Sequence, residues 1–137
     1  MLCVDCADPY ALLRFWAAAL EWDIEDNTAL IKDLAAKGVV TENDYIEVGG
    51  RLGWPTMAAI RDPAGADFGR VLFQHVPEPK TVKNRVHLDI HLGPERRDRK
   101  VTELVQLGGV VLGTFDEFGA RWTVVADPEG NELCIAV

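Results

Sequence analysis

The feature that most constrains this chain of 137 residues is an internal repeat. Arg61-Asp62-Pro63-Ala64-Gly65 precedes the apolar run Val71-Leu72-Phe73, and Ala126-Asp127-Pro128-Glu129-Gly130 precedes Leu133-Cys134-Ile135-Ala136-Val137. Both are Asp-Pro-x-Gly turns between strand-like segments, with proline suited to the second turn position and glycine to the closing one. Upstream of the turns, Val4-Asp5-Cys6-Ala7-Asp8-Pro9 opens one helical pattern and Leu88-Asp89-Ile90-His91-Leu92-Gly93-Pro94 opens another. A unit used twice limits the topologies open to the chain before any local assignment is made.

In the first helix Asp8 is placed to cap, Pro9 fits the first turn, and Leu12, Phe15, Trp16, Ala19 and Leu20 share a face. The second starts at Pro94 and turns apolar with Val101, Leu104, Val105 and Leu107 before Gly108-Gly109 stops it. Each half therefore reads strand, helix, then further strands: two βαβββ modules of an α+β domain spanning residues 1–137. Module one covers about residues 1–76, a linker about 77–84, and module two about 85–137. Module one also carries an insert, a short helix near 27–38 with Leu30, Ile31 and Leu34 facing the body, then a strand over 44–48 and a turn at Gly49-Gly50.

Composition narrows the function. Net charge is −8 with a pI near 4.8, and the one basic cluster (Arg96, Arg97, Arg99, Lys100) reads as a solvated helix face. Nucleic-acid affinity rests on neutralising phosphates, so no nucleic-acid partner is expected. The longest uncharged run, Leu104 to Phe115, falls well short of the ~20 residues of a membrane span, and Asp5 and Asp8 interrupt any signal-peptide pattern. A cytoplasmic protein with no membrane partner is expected. Cys3 and Cys6 form a C-x-x-C, but on a strand residues three apart point to opposite faces, so both are read as small buried hydrophobes.

The richest chemical pattern is the segment from Arg85 to Leu92. Val86, Leu88, Ile90 and Leu92 alternate with Arg85, His87, Asp89 and His91, the period of a strand whose aliphatic face packs under the helices. The polar face then looks into a cavity, with His87, Asp89 and His91 about 6–7 Å apart in sequence order. Such a row permits a metal ion, or an aspartate that pairs with Arg85 or orients a histidine. No serine-nucleophile, phosphate-loop or dinucleotide motif is present, and the sequence sets no cysteine convincingly beside a histidine.

The arrangement resembles the vicinal oxygen chelate superfamily of glyoxalase I, ring-cleaving dioxygenases and bleomycin-resistance proteins, and among them the bacterial glyoxalase-like domain proteins. The resemblance is carried by residues 4–9 with Phe15-Trp16, by Phe73 to Lys80, by Lys83 to Asp89, and by Asp127 to Glu132. It implies two βαβββ modules curled around a shared cavity, a small-molecule ligand, and a homodimer. It also implies a divalent metal held by four side chains. The matching positions here are about Met1, Phe73 or Gln74, His87 and Cys134, so only His87 is retained and the expected set is incomplete. Without that Lewis acid, His87 is the natural base, with Asp89 or Glu132 as its partner.

Asp5, Gln74, Arg85, His91, Trp122 and Cys134 are the candidate ligand contacts. Tryptophans with Asp5, Asp89 and Glu132 would make an apolar, acidic cleft suited to planar or cationic compounds. Two readings stand together: a glyoxalase-like enzyme of lyase, isomerase or dioxygenase type, and a non-catalytic protein that sequesters a cationic or aromatic compound.

Overall fold

Two four-stranded sheets with one strand order dominate the computed structural model, which describes residues 1–137. The first half contributes β1 (Leu2–Cys6), α1 (Pro9–Leu20), β2 (Asp23–Ile24), α2 (Thr28–Ala36), β3 (Ile46–Val48), β4 (Arg51–Gly53), β5 (Met57–Arg61) and β6 (Arg70–His75). The second contributes β7 (Asp89–His91), α3 (Pro94–Gln106), β8 (Val110–Glu117), β9 (Ala120–Ala126) and β10 (Glu132–Ala136). The sheets run β1-β6-β5-β2 and β7-β10-β9-β8, each with its first strand parallel to its last and the others antiparallel. These are two βαβββ modules with open sheets; α2 and the β3–β4 hairpin form the insert in module one.

Helix α1 starts where its cap dictates. The Asp8 carboxylate accepts from the N–H groups of Tyr10 and Ala11 at 2.9 and 3.2 Å, two of the donors a helix start leaves free. Leu12, Leu13, Phe15, Trp16 and Ala19 of α1 are buried in a core that also takes Ile60, Val71 and Phe73 from module one and Leu104, Val125, Leu133 and Ile135 from module two. The alternation of the strands sends these residues toward the helices. It leaves Cys3, Asp5 and Gln74 on the opposite face of one sheet, and Asp89, His91, Trp122 and Cys134 on that of the other.

The second Asp-Pro-x-Gly turn does more than reverse the chain. Asp127, 2% exposed, accepts at 2.8–2.9 Å from the Trp16 indole N–H, the Glu129 and Asn131 backbone N–H groups, and the Asn131 amide. Glu129 accepts from the N–H groups of Ala7 and Asp8 just ahead of α1. The first turn has alanine at the matching position, Ala64, and the Asp62 carboxylate accepts only from the Ala64 N–H. One repeat is a turn; the other is also a clamp between modules.

Four expectations are corrected. The strand predicted over Arg85 to Leu92 is regular only at Asp89–His91, because its partner β10 begins at Glu132; Val86 stands 75% exposed instead of packing under a helix. The basic cluster is not wholly solvated: Arg97 and Lys100 are 3% and 8% exposed, and with Leu104 they form the inward stripe of α3, while Val105 points out. Lys100 Nζ donates to the Ala18 carbonyl at 2.7 Å, in the last turn of α1 where the helix dipole favours a cation. Arg97 donates to the Thr123 hydroxyl and pairs with Asp98, leaving its Nε buried without a partner. In the C-x-x-C, only Cys6 is buried, its thiol pushed up to about 12 by burial and nearby carboxylates; Cys3 is exposed. In α2, Ile31 is fully buried but Leu30 is half exposed.

Candidate functional site

The edge strands of the two sheets, β1 and β7, face each other without pairing, and between β1 and the Asn84–Leu88 approach to β7 lies a cleft of about 220 Å³. Leu2, Val4, Val71 and Trp16 make its apolar wall; Asp5, Asn84, His87 and Glu132 supply its polar groups. The Trp16 ring is held in place by its indole N–H bond to Asp127, so the turn that joins the modules also sets one wall of the cleft.

His87 is the chemical centre. Its Nδ1 lies 2.9 Å from Asp89 Oδ1, and Cys134 Sγ lies 3.9 Å from the same nitrogen. A carboxylate accepting from Nδ1–H fixes the ring and leaves Nε2 as the basic nitrogen. Cys134 beside His87 is a contact that the sequence reading did not place, since the two are brought together by the parallel pairing of β7 and β10. Burial, then the Asp89 carboxylate, push the Cys134 thiol up to about 11, so it rests as a thiol at neutral pH. Aspartate and thiol share one ring nitrogen, whereas a nucleophilic relay needs them on opposite nitrogens. The arrangement is that of a ring oriented through Nδ1, without the layout of a nucleophilic relay.

Glu132 takes a different part from the one expected of a histidine's partner. Lys83 donates to its carboxylate and Lys80 stands 3.8 Å away. The Lys83 bond foremost, with both lysine charges, holds its carboxyl below the usual glutamate range. Glu132 thereby ties the linker across the cleft, and Asp89 is the group that contacts His87.

The other predicted residues are spread out. Asp5 lines the cleft and Gln74 sits opposite it in the β1–β6 register, outside the cleft lining. Arg85 borders an adjoining groove beside Lys80 and Lys83. His91 lies opposite Ala136 at the far end of β7, and Trp122 stacks on Phe115 with ring centroids 5.5 Å apart. Asn84 joins the cleft without any mark in the sequence. Its Oδ1 is buried without a partner, and nothing in a linker sequence marks such an acceptor.

The four-donor metal set of the family does not assemble here. Of its positions, Met1 offers a sulfur already contacted by Arg70, Phe73 is fully buried, and only His87 and Cys134 come together. His87, Asp89 and Cys134 do bring a nitrogen, an oxygen and a sulfur within 4.8 Å of one another, all from module two. That mixed donor set has the character of a zinc site more than of an oxygen-rich magnesium or manganese site.

Comparison with known proteins gives the class first: the fold is that of the glyoxalase, bleomycin-resistance and dioxygenase proteins. A structure of a hypothetical protein from S. aureus (SA1046) matches with a TM-score of 0.65 at 15% identity, covering 100% of this chain and 92% of that one. A glyoxalase/bleomycin resistance protein/dioxygenase family enzyme from Burkholderia phytofirmans matches at 0.63 and 13%, covering 98% and 94%. A fosfomycin resistance protein from Mesorhizobium loti matches at 0.62 and 10%, covering 98% and 86%. No curated protein matches the sequence significantly. The family model for the glyoxalase-like domain matches residues 1–136, and the chain belongs to that family.

Proposed function

We propose that this protein binds a small organic compound bearing N–H or cationic groups in the cleft between β1 and Asn84–Leu88. The observation that carries this reading is the set of acceptors left over. Asn84, whose Oδ1 is buried and unpaired, and Asp5 both belong to the cleft lining, beside the apolar wall of Leu2, Val4 and Trp16. A buried acceptor without a donor costs about 1–3 kcal/mol, which a ligand N–H recovers once the Asn84 amide rotates toward the cleft. A titration of tryptophan fluorescence with planar cationic aromatics tests it. Saturable quenching that is lost in Asp5→Asn supports the proposal; no quenching across the panel refutes it.

A second, catalytic reading rests on the His87–Asp89 pair, 2.9 Å apart, of which His87 lines this cleft. With Nδ1 engaged, Nε2 serves as a general base toward a bound ligand. Turnover by the wild type that survives in His87→Gln refutes it.

The chain is further read as a cytoplasmic homodimer formed by one domain. Support for pairing comes from β8, a sheet edge of 8 residues on which Val110, Leu112 and Phe115 are 42–56% exposed, followed by a fully exposed Phe118. A long apolar edge strand needs cover. No helix is long and apolar enough to cross a membrane.

A further inference from the structure

The insert of module one has no counterpart in module two. There β8 passes to β9 through Phe118 and Gly119, whereas between β2 and β5 the chain builds α2 and the β3–β4 hairpin. The hairpin turns on Gly49 and Gly50, both at positive φ (59° and 80°), and is held once to α1 and once to α2 of the same insert. The Tyr10 hydroxyl donates to the Trp54 carbonyl at 2.8 Å, and the Leu52 N–H donates to Thr28 Oγ1 at 3.0 Å. Gly53 is required at the first point, because a Cβ there would stand 2.1 Å from the Tyr10 hydroxyl.

Beneath this roof is a cavity of about 330 Å³, on the helix-bearing side of the first sheet and apart from the His87 cleft. Leu13, Ile24, Leu52 and Ala58 make its apolar lining, and Arg14 and Arg51 contribute two guanidinium groups. Arg14 takes part in no salt bridge, and Arg51 makes a loose, exposed ion pair with Asp26 at 3.7 Å. The one acidic residue of the lining, Glu25, is already bound by Arg70 at 2.8 and 2.9 Å and by Arg61 at 2.7 Å. In a protein of net charge −8, Arg14 is left at this lining without a paired carboxylate, and Arg51 is held only by the loose pair to Asp26.

We infer that the insert builds a second binding site, whose ligand is a small organic carboxylate with an apolar body of ring or short-chain size, its headgroup held by Arg14 and Arg51. The volume is at the lower end for ligand pockets, which fits a body of that size. Guanidinium pairs favour planar carboxylates through charge-assisted hydrogen bonds. The inference is independent of the His87 cleft.

The test is an amide-resolved NMR titration of the full chain with octanoate, with octylammonium as the charge-reversed control. Octanoate should shift the Gly49, Gly50 and Gly53 amides saturably, and octylammonium should not. The R14Q/R51Q double variant, altered only at exposed side chains, should keep the remaining spectrum and raise the octanoate dissociation constant by roughly tenfold or more, the loss of one or two charge-assisted bonds. The inference is overturned by any of three results: no saturable shift, equal affinity in the double variant, or an equal response to octylammonium. Shifts centred on Cys3, Asn84 and His87 would also overturn it and would assign the carboxylate to the other cleft.

Discussion

Asp127→Ala separates a turn from a clamp, and its cost follows from what Asp127 holds. The carboxylate is 2% exposed and accepts four hydrogen bonds, one of them from the indole N–H of Trp16 on the other module. Truncation strands that buried N–H, at about 1–3 kcal/mol, and loosens the turn N–H groups, which water partly re-satisfies; the total is about 3–5 kcal/mol. The matching substitution in the other repeat, Asp62→Ala, removes one bond to the Ala64 N–H at a half-buried site and costs about 1 kcal/mol. Urea unfolding followed by far-UV circular dichroism reads both. With a slope on the order of 2 kcal/mol per molar, the midpoints fall by roughly 2 M and 0.5 M. A double-mutant cycle of Asp127→Ala with Trp16→Phe should show coupling of about 1 kcal/mol or more. Equal destabilisation by the two aspartate variants would refute the reasoning, because the repeats would then be equivalent.

Further outcomes follow from the same geometry. Arg97→Met should leave stability unchanged or raise it by about 1–2 kcal/mol in thermal unfolding, since it removes a buried charge whose Nε has no partner while Thr123 keeps its bond to Thr114. The Arg70 hydrogen bond chiefly holds the Glu25 carboxyl below its ordinary value, so its contribution is present above about pH 4.5 and is lost as pH falls through the depressed folded value. Glu25→Gln should therefore flatten the acid limb of the stability–pH curve; an unchanged limb would contradict this. Phe115→Lys should shift sedimentation from dimer to monomer at micromolar concentration, and a wild type already monomeric would remove the proposed pairing.

The βαβββ repeat was legible because its signals are local. Two Asp-Pro-x-Gly turns, a capped helix at Asp8-Pro9 and a proline-led, uncapped helix start at Pro94 lie in short windows, and the structure keeps all of them. The site was less legible for reasons that differ by residue. Cys134 and His87 meet only because β7 and β10 pair in parallel, a register no spacing reveals. Glu132 is taken by Lys80 and Lys83, which are 52 and 49 positions away in sequence. Arg97 and Lys100 carry charge, so periodicity assigns them to solvent; the structure buries them because Thr123 and the end of α1 offer acceptors. Asn84 is an irregular-segment residue whose importance lies in an unpaired atom, visible only once its neighbours are in place.

The central claim, that the cleft between β1 and Asn84–Leu88 is the ligand site, is tested most directly by amide-resolved NMR during a titration with proflavine. The account predicts saturable shifts clustered at Cys3, Asp5, Asn84, His87 and Leu88, the residues lining the cleft, with a weaker affinity in Asp5→Asn. Shifts confined to the open sheet face around Phe115 and Trp122, or an affinity indifferent to Asp5, would contradict it.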